Sequence, residues 1–162
     1  MELSVICPIY NEGKYIAKCI ESILLQDFPK DDMEILFVDG LSTDNTRDIV
    51  NEYSNKYKFI KLLDNPHKVV PYAMNIGINN SKGNIIIRLD AHVIYPNNYF
   101  TELISKLKYY DADNVGCCCE TLPINDSTTA IAIAETLSSP FGVGNSMFRI
   151  GVTHDVEVDT VP

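Results

Sequence analysis

The chain has no tryptophan, only three arginines (Arg47, Arg88 and Arg149) and no uninterrupted apolar run approaching 18 residues. A bilayer-spanning helix needs about 20 consecutive apolar residues, so none is expected within this sequence. Positive charge is scarce: 13 Lys+Arg stand against 22 Asp+Glu, a formal net charge of −9. Without a basic field to neutralise a phosphate backbone, nucleic acid is excluded as a partner. Paired cysteines are also missing. The five are Cys7, Cys19 and the run Cys117-Cys118-Cys119, an odd count with no C-x-x-C spacing, which fits neither a disulfide framework nor a zinc knuckle. A reducing compartment accounts for that usage. The opening MELSVICPIYNEG carries no basic n-region and no small-residue cleavage site, so a cytoplasmic location is expected.

The 162 residues are 46% apolar and 22% charged, enough apolar surface for one folded domain around one core. Leu3 to Pro8 reads as a strand, and Ile16, Ile20, Ile23 and Leu24 then recur at helical spacing. The unit repeats: Ile35 to Val38 as strand, Asp39 to Thr43 as turn and cap, and Ile49, Val50 and Tyr53 as helix. Phe59 to Leu63 is a third strand, and Pro71 suits the first turn of a helix over Ala73 and Ile76. Ile85 to Leu89 reads as a strand buried on both faces of a parallel sheet, interrupted by Arg88. Phe100 to Leu107 supplies a fourth helix, and Val115 to Cys119 a fifth strand in which the cysteines pack as small buried hydrophobes. Asn125 to Ser127 would cap a helix through Leu137, and the Ser-, Gly- and Pro-rich stretch from Ser138 to Ser146 reads as a loop hinged at Gly142 and Gly144.

Alternating strands and helices define an α/β fold with a mainly parallel central sheet flanked by helices. Ligands of such sheets bind at the carboxyl ends of the strands. Those ends read Pro8-Ile9-Tyr10-Asn11-Glu12, Asp39-Gly40-Leu41-Ser42 and Asp90-Ala91-His92, so polar residues gather where a site belongs. Asp90 and His92 are either a turn cap with a surface histidine or a pair of ligands for a divalent ion. Asp39 is placed to accept a nucleobase N–H or to hold its turn, while Ser42 or Thr43 caps the next helix and Asp44 lies near its dipole.

The segments VICPIYNEGKYIAKCIESILLQ, EILFVDGLSTDNTRDIV and AMNIGINNSKGNIIIRLDAHVIYP resemble the family 2 glycosyltransferases, inverting enzymes of the Rossmann-like GT-A fold that use nucleotide-diphospho-sugars. RLDAHVIYP, SPFGVGNSMFR and VDTVP further resemble the branch with bacterial exopolysaccharide enzymes similar to succinoglycan glucosyltransferases. The resemblance implies one GT-A domain over 1–162, with a nucleotide-binding core at 1–120 and the start of an acceptor part at 121–162. It places Pro8, Tyr10 and Glu12 in the nucleotide pocket, Asp39 on the base, and Asp90 with His92 at the family's D-x-D position, holding Mg2+ or Mn2+. Lys68 could reach a phosphate as a point charge, and Arg149 could clamp a diphosphate. Asn75 matches the family's R-N-x-G region, but Met74 stands where an arginine is common.

The donor implied is a nucleotide-diphospho-sugar, with UDP favoured, and the acceptor a saccharide or lipid-linked saccharide, which would bring the protein near a membrane. In the family an aspartate deprotonates the acceptor hydroxyl for attack on the anomeric carbon, and the metal stabilises the leaving diphosphate. That base lies in an E-D or D-D motif. Asp126, Glu135, Asp155, Glu157 and Asp159 form none, so the base is expected beyond Pro162, with the chain ending inside a domain. A nucleotide-binding module without catalysis is the alternative expectation.

Overall fold

The computed structural model describes residues 1–144 and 146–158. Four short apolar runs form strands β1 (Leu3–Ile9), β2 (Met33–Asp39), β3 (Ile60–Asp64) and β4 (Ile85–Arg88), all parallel, in the order β3-β2-β1-β4. Between them run α1 (Ile16–Leu24), α2 (Thr46–Lys56) and α3 (Val70–Asn80), and α4 (Tyr99–Tyr109) follows β4. This matches the expected α/β rhythm.

Period-2 alternation sorts the strand residues between two cores. Leu3, Val5, Cys7, Ile35 and Phe37 point to one face, where α1, Val50 of α2 and Phe100 and Ile104 of α4 cover them. Ile6, Leu36 and Val38 point to the other face, against Ala73 of α3. Each fully buried side chain of this size contributes about 1.5–3 kcal/mol. Gly77 lets α3 lie close, because a Cβ there would stand 2.4 Å from Ile6 Cγ2. The central strands are buried except at Pro8, which is half-buried, but β4 is an edge strand, so the expectation that it is covered on both faces fails: Ile86 is 41% exposed and Arg88 is exposed.

The chain divides into two compact units, Met1–Ile104 and Ser105–Pro162. In the second, α5 (Thr128–Leu137) is capped by Ser127, whose hydroxyl accepts from Ala130 N–H, as expected. Two further expectations are corrected there. Residues 115–119 form no strand; Cys117 and Cys118 are exposed, and Cys119 N–H donates to Phe148 O at 2.8 Å outside any strand ladder. The stretch expected as a loop holds a one-turn helix, α6 (Pro140–Val143), because Ser139 caps it through Gly142 N–H and Pro140 presets its φ; a second, α7 (Met147–Ile150), follows the stretch. Asp159 lies outside the described residues. Among the described residues no helix is long and apolar enough to cross a membrane.

Candidate functional site

The strand order reverses between β1 and β4, which makes the crevice at their carboxyl ends the topological switch point. A cleft of about 170 Å3 opens there, lined by Pro8, Tyr10, Glu12, Lys68, Asp90 and His92 among others. These six residues singled out from sequence therefore meet in one place.

The cleft wall comes from loops that leave the strands in left-handed turns. Asn11 (φ 55°), Leu41 (φ 60°) and Lys68 (φ 60°) follow β1, β2 and β3. Asparagine accepts that conformation easily, whereas Leu41 and Lys68 hold it at a cost of about 1–2 kcal/mol. The first two loops are stitched together. Asn11 N–H donates to Ser42 Oγ at 2.8 Å, Thr43 N–H to Asn11 Oδ1 at 2.8 Å, Glu12 N–H to Thr46 Oγ1 at 2.8 Å and Gly13 N–H to Asp44 Oδ2 at 3.0 Å. Ser42 and Thr43 thus bind the neighbouring loop rather than capping α2, whose N-cap is Asn45. Gly40 leaves room for the Tyr10 ring, since a Cβ there would lie 3.1 Å from Tyr10 Cδ2. Tyr10 is 46% exposed and carries the Lys68 ammonium 5.9 Å from its ring centroid.

Asp39 sits beneath this wall, fully buried and outside the cleft lining. Its carboxylate accepts from Ser42 N–H (3.0 Å), Ser42 Oγ–H and the Arg47 guanidinium, which also reaches Asp64 at 2.8 Å. Those two carboxylates hold the Arg47 guanidinium even more firmly protonated than usual. Asp39 C=O accepts Asn65 N–H at 2.7 Å, which ties the third loop to the same point.

Asp90 and His92 stand on the opposite lip. The Asp90 carboxylate is half exposed and pairs with Arg88 at 3.0 Å, while its backbone is clamped by Tyr95. The Tyr95 hydroxyl accepts Asp90 N–H at 2.8 Å and donates to Asp90 O at 3.1 Å. Burial pushes the Tyr95 phenol far above its ordinary range, so it stays protonated and can donate. Cys19 Sγ–H reaches the same carbonyl at 3.8 Å, and the Cys7 thiol behind it is pushed up by its hydrogen bond to Cys19 and by burial. Tyr95 was not legible from sequence as a site residue; its role comes from a side chain folding back five residues. Tyr95→Phe should cost about 1–2 kcal/mol in urea unfolding, because it leaves the Asp90 N–H unpaired, and should weaken metal-dependent ligand binding measured in the same samples.

Among the described residues no three His, Cys, Asp or Glu side chains converge on a metal position. A hard divalent ion takes about six oxygen-rich ligands, so Asp90 and His92 fit an ion that arrives with other donors, such as diphosphate oxygens. In the second unit Arg149 donates to Thr121 Oγ1 at 3.2 Å, and Asp155 is held below the usual carboxylate range by Lys106 and Tyr110. Asn75 is exposed on α3.

An open parallel sheet with its cleft at the switch point defines a ligand-binding α/β domain. The chain belongs to glycosyl transferase family 2, whose profile matches residues 4–155. It is 35% identical over 152 residues to a dolichyl N-acetyl-alpha-D-glucosaminyl phosphate 3-beta-D-2,3-diacetamido-2,3-dideoxy-beta-D-glucuronosyltransferase of Methanococcus voltae, covering 90% of this chain and 47% of that protein. It is 29% identical to the succinoglycan biosynthesis protein ExoA of Rhizobium meliloti, over 91% of this chain and 44% of that one. The chain thus spans about half the length of these relatives. Among solved structures, residues 1–349 of TarS from S. aureus in complex with UDP-GlcNAc superpose with a TM-score of 0.62 at 25% identity, covering 75% of this chain and 38% of that one. A mannosyltransferase from Pyrobaculum calidifontis with GDP-Man and Mn2+ gives 0.62 at 27% identity, over 83% and 39%. The fold is therefore GT-A, and the chain is a domain of glycosyl transferase family 2.

Proposed function

We propose that the cleft binds a nucleotide-diphospho-sugar, a UDP-sugar in particular, for inverting transfer to a saccharide or lipid-linked saccharide. The setting is cell-surface or exopolysaccharide synthesis on the cytoplasmic side of a membrane. The observation that carries this reading is the convergence of Tyr10, Lys68 and the Asp90–His92 lip on the switch-point crevice. The Tyr10 ring offers a stacking surface for the base, with Pro8 and Gly40 beside it. Asp39 belongs to the base end: it fixes Ser42 and Asn65, and a base N–H would reach it once Arg47 yields one carboxylate oxygen. Lys68 supplies a positive point charge for a phosphate. Asp90 and His92 would hold Mg2+ or Mn2+ together with the diphosphate, and the bound ion stabilises charge on the leaving group. The Methanococcus voltae relative is named for a dolichyl-phosphate-linked sugar and the Rhizobium meliloti relative for succinoglycan biosynthesis, which supports the acceptor class.

Titration calorimetry with UDP in the presence of Mn2+ tests the donor site. Saturable binding that weakens when the metal is chelated is the expected result. A folded sample that takes up no UDP with Mn2+ present would overturn the assignment.

A further inference from the structure

We propose that Glu12 is a positioning residue for His92: its carboxylate accepts the imidazole Nδ1–H and so leaves Nε2 as the unprotonated nitrogen offered to a divalent cation. The proposal rests on the donor-site reading. Glu12 Oε1 lies 3.3 Å from His92 Nδ1 across 80 residues of chain.

The two partners differ in how firmly they are held. Glu12 is fixed by its backbone: its N–H donates to Thr46 Oγ1 at 2.8 Å, and its C=O accepts Tyr15 N–H at 2.8 Å and Ile16 N–H at 2.9 Å, which anchors it at the start of α1. Its side chain is 21% exposed, whereas that of His92 is 58% exposed on the turn after β4. A rigid carboxylate therefore sets the orientation of a loosely held ring. In a free neutral histidine the Nε2–H tautomer predominates, which would put a proton on the nitrogen the ion needs. A carboxylate on the other nitrogen reverses that preference and raises ligand basicity, and losing such a partner typically costs about 10- to 100-fold in metal affinity. The device also gives a role to an exposed histidine beside a fixed glutamate where, among the described residues, no third ligand converges.

The test uses the 162-residue chain labelled with 15N-histidine. Long-range 1H–15N correlations at about pH 8, above the ordinary histidine range, report the tautomer of each ring. His92→Gln assigns the signal, and His67 and His154 serve as references. His92 should be the Nδ1–H tautomer in the parent and move towards Nε2–H in Glu12→Ala. Glu12→Gln, whose amide oxygen can accept the same N–H, should restore it. In parallel, the affinity for Mn2+ with UDP present, read by electron paramagnetic resonance, should fall about 10-fold in Glu12→Ala and largely recover in Glu12→Gln. An Nε2–H parent overturns the proposal, as does a tautomer unmoved by Glu12→Ala. A tautomer that moves with no change in Mn2+ affinity overturns the functional link. Equal loss of Mn2+ in both variants with the tautomer fixed would make Glu12 itself a ligand. A parent that binds no UDP fails the donor-site reading instead, while the tautomer still decides the role of Glu12.

Discussion

Asp90→Ala should abolish metal-dependent UDP binding and leave the fold intact. The two halves of that result have separate causes. The carboxylate faces the cleft, where it would carry negative charge to a cation shared with the diphosphate, and charge-assisted contacts of this kind are worth about 1.5–3 kcal/mol, or roughly 10- to 150-fold in affinity. Its contribution to stability is small, because the ion pair with Arg88 that is given up joins two half-exposed side chains. The Asp90 N–H and C=O, which Tyr95 clamps, remain in the alanine variant. Calorimetry with UDP and Mn2+ should thus show the loss while the thermal midpoint stays within a degree or two. His92→Ala should weaken binding less, since a neutral imidazole brings no charge. Two variants that bind UDP and Mn2+ like the parent would remove Asp90 and His92 from the site.

The opposite end of the sheet yields the second large effect, on stability alone. Glu34 lies within β2 and is almost wholly buried. It accepts from Ser4 Oγ–H at 2.9 Å, Lys61 Nζ at 2.6 Å and Lys82 N–H at 2.7 Å, so one carboxylate ties β1, β3 and the approach to β4 together. Burial alone would push Glu34 up, but Lys61, Ser4 and Lys82 outweigh it and hold the group below the usual carboxylate range. Glu34→Ala should destabilise the chain by about 2–4 kcal/mol, mostly through the buried donors left unpaired, because Lys61 is exposed enough to regain water. A depressed folded-state value means that this stability is present above the ordinary glutamate pKa of about 4.3. It is lost as pH falls through the lower folded value. Urea unfolding from pH 7 down to about pH 3 should therefore show a steeper acid decline in the parent than in Glu34→Gln. Parallel curves would rule out the linkage.

Glu34 illustrates what the sequence hides. A glutamate in the run MEILFVD breaks no visible rule, and only pairing with Ser4 and Lys61 shows it as a buried junction. Tyr95 is similar, as is Arg47, which looks like any helix-surface arginine until β3 brings Asp64 alongside Asp39. Local patterns also misjudged the segment after Tyr110. Val115 to Cys119 has strand composition, yet strand formation depends on a partner edge that composition does not reveal.

By itself, the sequence determined the α/β class, the first four strands with their helices and the identity of the strand-end residues, because each of these follows from local periodicity and turn chemistry. It also carried the family, through three motifs in order. Tertiary structure decided which strand is central and which is an edge, and so why Ile86 is exposed while Ile35 is not. It alone turned Asp39 inward to Arg47, closed Tyr95 onto Asp90 and set Glu12 against His92. Those outcomes depend on contacts between residues 5 to 80 positions apart, and a chain's local pattern specifies no such contact until the fold fixes it.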